Sequence, residues 1–588
     1  MSSKLATLEA SARDAVSAEV LQGHLEHFST LFRDSGTEDE RQAAAYLVEQ
    51  LSSYGIKAKT LTFPSYISWP REGSLHVHEA DGTRTDIPTR TRSFGGATGP
   101  EGITAELVFI PFAQPAKGEM IFSHRAVAGD YTGQDVAGKI VVTADGGPDG
   151  IRRAQEHGAL AHIHIWPSDE DAIHEMIATP VWGTPTTQTA GRIPAIPALG
   201  IKNLDGQALQ ERLADTPLTV TIVSNVETAW VELPLVVADI PGNGSDKFLM
   251  VGSHIDSWYE GITDNATGVA SVLEIARVLS QHRSELTHGV RFAWWPGHST
   301  GRYSGSTWYA DTYFMELRDR ALGYLNIDSP GSRGAEEWDC RYNCGEIEEL
   351  TAAAVKELSG QEPNIRRPLK AGDQSFLGVG LPSLGAFRML PVDHPDRKAV
   401  GGCGGGWWWH TPADTIDKAD SNVLADDTRL YVTMTLRMCM PELHPYDFVP
   451  VADDFLSRMT EFQEGAGEHL DLGVAIAEAK AFREAAVALR DSLAGIDASR
   501  IEAVNSLHLR LSRLLNPVLF TIAGPYEFDP ALQMPILPGL APAATLPGLM
   551  GNDYGFLKTE LVRQRNRVAD TLKTAREMIA AATTLISA

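Results

Sequence analysis

The chain has 588 residues, 43% of them hydrophobic, and a formal net charge of −26. That length exceeds what one hydrophobic core serves, so roughly two to four domains are expected. The acidic balance argues against a nucleic-acid partner, whose phosphates need basic surface, and favours solubility without naming a substrate.

Taken in chain order, "MSSKLATLEASARDAVSAEVLQGHLEHF" has no apolar h-region and reads as amphipathic helix, not as a signal peptide. No run of about 18 apolar residues occurs, so no membrane partner is expected. The first 60 or so residues predict two helices. The clearer is "TEDERQAAAYLVEQLSSYGI", where Ala44, Leu47, Val48 and Leu51 recur at helical spacing and Gly55 ends the run. Strand-like runs then alternate with Gly/Pro turns to about residue 120. "KIVVTA" predicts a buried strand, "GIRRAQEHGA" a short helix and "LAHIHIW" another strand; a strand and helix follow in "IPAIPALGIKNLDGQALQERL". This reads as a mixed insert over about 64–230.

A second alternation begins at "PLVVADIPG". "KFLMVGSHID", "GVRFAWW" and "LGYLNIDSPG" read as strands, while "ATGVASVLEIARVLSQH" and "STWYADTYFMELRDRA" read as helices. Strands alternating with helices imply an α/β fold with a largely parallel sheet, whose ligands bind beyond the carboxyl ends of the strands. After residue 443 two long helical patterns bracket a Pro-rich, irregular stretch. The expected division is 1–63 with 231–442 as the α/β domain, 64–230 as the insert and 443–588 as a helical domain. Cys340, Cys344, Cys403 and Cys439 lack a second pair at zinc-ribbon spacing, so they read as buried thiols in a reducing, cytoplasmic setting.

The polar candidates cluster where strands give way to loops. "SHIDS" supplies His254 and Asp256, "GITDNATG" Asp264, "GHST" His298, "LNIDSPG" Asp328 and "WWWHTPADT" His410. Strand alternation would set His254 and Asp256 on one face, where the carboxylate could accept the second ring N–H of a ligand histidine. Singly, Asp264 reads equally as a helix cap, Asp328 as a turn residue and either histidine as a hydrogen-bonded core group. Together they predict a divalent-metal cluster, suited to zinc and also to manganese or iron, in which Asp264 could bridge two ions.

"VGSHIDSWYEGITDNATGVASVLEIARVL" resembles the signature of the zinc metallopeptidase family of bacterial aminopeptidases and glutamate carboxypeptidase II. The resemblance implies that His254 and Asp328 bind one metal, His410 a second, and Asp264 both. It further implies a protease-associated insert domain, a helical dimerisation domain of the transferrin-receptor kind, and hence a homodimer. The family motif carries Glu-Glu, a general base followed by a metal ligand, where "FAWWPGHSTGRYSGS" has His298 and Ser299. Three readings follow: His298 is a metal ligand beside Asp264 and His410; His298 is the general base; or the chain is a non-catalytic binder. The retained His254, Asp256, Asp264, Asp328 and His410 favour an enzyme, with Asp256 and His298 as catalytic candidates. The expectation is a metal-dependent hydrolase, with one or two zinc ions, acting on an amide or peptide-like bond of a small substrate. A metal-dependent lyase is the alternative. Glu260 could add a carboxylate, Asp373 faces the substrate by resemblance, Arg388 could bind a substrate carboxylate, and Trp407 to Trp409 read as pocket wall or as core.

Overall fold

The computed structural model of the chain describes residues 3–111, 131, 133–144 and 146–587. Its spine is a ribbon of two long strands, Ala58–His78 and Thr219–Ile240, paired antiparallel from Ala58↔Ala238 to Val77↔Val220. Thr219–Ile240 also pairs antiparallel with Gly289–Trp295, where the parallel part of the sheet begins. Gly289–Trp295 and Ala321–Asn326 flank Phe248–His254, both parallel to it, and Ser383–Leu384 continues beyond Ala321–Asn326. Every residue of Phe248–His254 and of Ala321–Asn326 is buried, as expected for parallel strands covered on both faces.

One face packs Leu249, Val251, Val290 and Phe292 against the helix Thr267–Ser280 and against Ser421–Cys439. This buried cluster runs on without a break into the C-terminal helices through Phe455, Leu511 and Ile579. The other face packs Met250, Trp295 and Tyr324 against Tyr309 and Phe376. At the far end of the ribbon the sheet continues through Ile103–Ile110, Ile140–Thr143, Ala161–Ile165 and Ala198–Ile201, which have their own apolar cluster. The expected limits at 63/64 and 230/231 fall inside the two ribbon strands, so paired strands join the insert to the rest.

The "VLEIARVL", "KIVVTA" and "FLMVGSH" runs form the elements their periodicity predicts, but three details differ. The N-terminal run splits into Ser3–Asp14 and Ala18–Phe28, because the Ser17 hydroxyl accepts the Val20 N–H and caps a new helix. "STWYADTYFMELRDRA" likewise breaks at Tyr313 into Ser304–Thr312 and Phe314–Arg320. The stretch from residue 58 is one strand through Pro64 and Pro70. A proline is tolerated on a strand with one paired edge, and the pairing register shifts between Pro70 and Gly73. The runs expected between 112 and 120 lie outside the described residues. No helix among the described residues is long and apolar enough to cross a membrane.

Candidate active site

Three neighbouring parallel strands end at the same edge of the sheet and set the candidate residues there. His254 closes Phe248–His254 and stands opposite Trp295; three residues past Trp295 comes His298; Asp328 follows Ala321–Asn326 by two residues. Asp264 lies in the turn before the helix Thr267–Ser280, and His410 in the loop after the three tryptophans.

These groups converge on Asp264. Its Oδ1 lies 3.1 Å from His254 Nε2 and its Oδ2 3.3 Å from His410 Nε2, while Asp328 Oδ1 lies 3.6 Å from His254 Nε2. Each imidazole is fixed from behind by a main-chain carbonyl. His254 Nδ1 donates to Asp256 O at 2.9 Å, and His410 Nδ1 to Glu175 O at 2.8 Å. Both Nε2 atoms are thereby turned toward the carboxylates, the arrangement that orients metal-ligating histidines. Burial opposes charge on His254, yet hydrogen bonds to Asp264 and Asp328 hold its pKa well above the usual value. Burial likewise opposes charge on Asp264, and hydrogen bonds from His254 and His410 outweigh it, holding its pKa well below the carboxylate range. Both shifts have one cause, the close approach of imidazole and carboxylate groups in a buried cluster. Imidazole and carboxylate donors in this pattern fit a zinc-class cation.

The structure corrects the reading of Asp256. Its carboxylate lies 3.8 Å from His254 Nδ1, and its main-chain carbonyl takes the ring N–H instead. The strand ends at His254, so alternation no longer dictates where residue 256 points. The buried carboxylate accepts the main-chain N–H of His298 at 3.0 Å, that of Ser299 at 2.9 Å and the Ser35 hydroxyl at 3.0 Å. Asp256 therefore clamps the loop that carries His298. Gly297, at φ +70°, gives that loop its turn.

His298 stacks on His254 with ring centroids 3.8 Å apart. Its Nδ1 lies 2.8 Å from Asp373 Oδ2, and Asp373 Oδ1 accepts the Ser306 hydroxyl at 2.7 Å. Ligand atoms of His254, His298 and Asp328 all lie within 4.8 Å of one another. His298 thus groups with His254 and Asp328, away from the pairing with His410 that one sequence reading gave it.

Sequence reasoning missed several groups that hold this edge. Arg33, fully buried, donates to the carbonyls of Phe28, Ile255, Glu260 and Gly261, pinning the loop between His254 and Asp264. Burial lowers its pKa to about 10 despite nearby Asp414, Asp256 and Asp264. Asp414 accepts the N–H groups of Thr263 and Asp264 and the Thr263 hydroxyl, so it fixes the backbone of the bridging carboxylate. Burial pushes its pKa up to about 7. "FRDSG" gives no hint of the first role. The aspartate of "HTPADT" was visible, but its partners lie 150 residues away.

A cavity of about 60 Å³ opens onto the cluster. Asp264, His298, Ser299, Asp328 and His410 line it with Arg302, Tyr303, Tyr342 and Trp409, and Met176 and Ile177 reach in from the insert. Of the three tryptophans, Trp409 is wall and stacks on His410, Trp408 is core and donates to Thr263, and Trp407 is half-buried against Asp396. Glu260 does not line the cavity; its carbonyl serves Arg33. Arg388 does not face it either, being bound to Asp427 at 2.7 Å. All four cysteines are buried and free.

Residues 236–434 match the model of peptidase family M28. The matched segment holds all six candidate residues. Among curated proteins the chain is 26% identical over 327 residues to the "Probable lipoprotein aminopeptidase" of Mycobacterium tuberculosis, covering 54% of this chain and 59% of that protein. It is 35% identical over 146 residues to leucine aminopeptidase 2 of Arthroderma otae, covering 23% and 27% of the two chains. The matches thus span well under two thirds of these relatives. Among solved structures, the aminopeptidase of Aneurinibacillus sp. strain AM-1 superposes with a TM-score of 0.56 at 23% identity, covering 74% of this chain and 96% of the other. The zinc aminopeptidase of Bacillus subtilis gives 0.55 at 20% identity, with 73% and 96% covered. The fold of the matched segment and its sheet is similar to that of these aminopeptidases.

Proposed function

We propose that the protein is a metal-dependent hydrolase of an amide or peptide-like bond in a small substrate. The observation that carries this reading is Asp264 held between His254 Nε2 and His410 Nε2, both rings anchored through Nδ1, at the floor of a cavity. His254, Asp264 and Asp328 would hold one zinc ion, with Asp264 and His410 the start of a second, weaker site where Ser299 offers only a hydroxyl. Bound metal supplies Lewis-acid polarisation of the scissile carbonyl and acidification of water. His298 acts as general base: Asp373 holds the proton on Nδ1, leaving Nε2 to take the proton of the attacking water. The imidazolium, stabilised by Asp373, returns that proton to the leaving nitrogen. Asp256 positions the loop, and Met176, Ile177 and Trp409 shield the reaction from bulk water.

The test is turnover of a panel of aminoacyl and N-acyl amides. Activity is expected to vanish on chelation and return with zinc. His254→Ala should lower kcat/KM about 1,000-fold, since Lewis-acid stabilisation is worth several kcal/mol. Chelator-insensitive turnover, or none with zinc restored, contradicts the reading. A second reading makes His298 itself a metal ligand and rests on its grouping with His254 and Asp328. A His298→Ala protein that loses zinc supports that reading; one that keeps zinc and loses turnover supports the base.

We also infer a homodimer in a reducing, cytoplasmic setting, with residues 64–230 as a protease-associated insert. Tyr526, Met550 and Phe556 are 81%, 86% and 71% exposed on the C-terminal helical part, and all four thiols are free. Sedimentation of the purified chain as a monomer at micromolar concentration contradicts the dimer.

A further inference from the structure

The cavity holds a buried cation that the proposed chemistry leaves unused. Arg302 lines it with only 9% of its surface exposed. Nη2 donates to Ala531 O at 2.8 Å, and the guanidinium lies over the Tyr303 ring, 5.1 Å from its centroid. Nε is buried without a partner, and among the described residues no carboxylate lies within 4.0 Å of the guanidinium. Other buried arginines are satisfied differently. Arg437 and Arg341 each pair with a carboxylate, while Arg33 and Arg513 each donate to several carbonyls. A buried guanidinium whose Nε finds no acceptor and whose charge meets no carboxylate is costly unless an anion completes it.

The surroundings select for an anion. Among the described residues the acids lining the cavity are Asp264 and Asp328, both drawn into the histidine cluster, which leaves neither of them to hold a substrate ammonium. Arg302 is also near the proposed chemistry. The Tyr303 ring beneath it meets His298 edge-to-face at 4.9 Å, and Tyr303 N donates to His298 O at 3.1 Å. Arg302 and Tyr303 both adopt left-handed φ, 51° and 71°, which non-glycine residues seldom do outside functional loops.

We propose that Arg302 is the carboxylate-recognition residue of this site, so that the substrate is a small amide with a carboxylate near the scissile bond, an N-acyl amino acid or N-blocked dipeptide, rather than a peptide read by its free amino terminus. The proposal rests on the hydrolase reading for its reaction: water oxygen bonds to the acyl carbon, the C–N bond breaks, and the leaving nitrogen takes a proton. Its binding test does not need turnover.

Zinc-loaded wild type is titrated calorimetrically with the N-acetyl derivatives of glycine, alanine, leucine and phenylalanine and with their carboxamides. The free-amine amino acid amides form the third set. The best carboxylate should bind roughly 10- to 100-fold tighter than its carboxamide, the range of a charge-assisted hydrogen bond. Arg302→Gln should erase that preference with the melting temperature little changed, and Arg302→Lys should keep part of it. Equal binding of the pair by the wild type, tighter binding of the free amines, no binding by any compound, or a preference that survives in Arg302→Gln overturns the proposal. A carboxylate preference without turnover upholds the anion site while the hydrolase reading fails. Chelator-sensitive turnover without that preference does the reverse.

Discussion

Where related motifs carry two glutamates, His298 comes with a carboxylate behind it. Asp373 Oδ2 lies 2.8 Å from Nδ1, so the imidazole in that place belongs to an Asp–His pair rather than standing alone, and the proposed base is that pair. Asp373→Asn removes that acceptor but keeps the volume. General acid–base contributions run to 100-fold and more, so kcat should fall by about 100-fold. KM and zinc content should stay close to wild type. A kcat within about threefold of wild type, measured under saturating substrate, contradicts a role for the pair as base. At this scale the sequence offered His254 and Asp328 in short motifs at strand ends and Asp264 and His410 in loop motifs, and the structure brings the four together. The part Asp256 plays was not legible there, nor was Arg302. The role of Asp256 depends on how the chain leaves the strand, and Arg302 is distinguished only by the partners it lacks, which no sequence spacing encodes. Arg388 drew attention instead, and its apparent freedom disappears once Asp427 folds against it.

The elements explain why one edge of the sheet collects these groups. Parallel pairing of Phe248–His254 with both Gly289–Trp295 and Ala321–Asn326 brings three strand ends together from well-separated stretches of chain. The loops leaving those ends are then tied to one another. Asn265 donates to Ser253 Oγ and Ile327 O and accepts from Gly268 N and Ser329 N. A Cβ at Gly268 would stand 2.2 Å from Asn265 Oδ1, so the glycine of "DNATG" is required for this knot. Periodicity exposed the buried strands and the helix Thr267–Ser280, since burial on one face or two leaves a pattern. It did not expose breaks at Ser17 and Tyr313, which turn on a single cap or kink within an unbroken helical pattern. Nor did it expose the long strand through Pro64 and Pro70, where local breakers are overridden by pairing along one edge.

The cavity belongs to the whole molecule rather than to residues 236–434 alone. The insert supplies Met176 and Ile177 as wall and the Glu175 carbonyl that orients His410. The irregular stretch before the last helix supplies the Ala531 carbonyl that holds Arg302, and Ala531 N donates in turn to Pro180 O. Lys370 and Asp529 form a further buried pair between the loop preceding Asp373 and that stretch. One apolar core joins the sheet to the C-terminal helices as far as Ile579, and Trp166 and Met176 of the insert pack separately against Leu390, Trp408 and Trp409. Such convergence was beyond the sequence, because each part is recognisable by itself while their meeting point is set by packing. The proposed chemistry depends on Asp264 and its two imidazoles binding a cation. The most direct test is elemental analysis of protein purified without added metal and dialysed, with Asp264→Ala beside the wild type. The wild type is predicted to retain zinc, close to one ion per chain, and the variant to retain almost none. A wild type that carries no divalent metal and takes up no zinc, manganese or iron on titration contradicts the central claim.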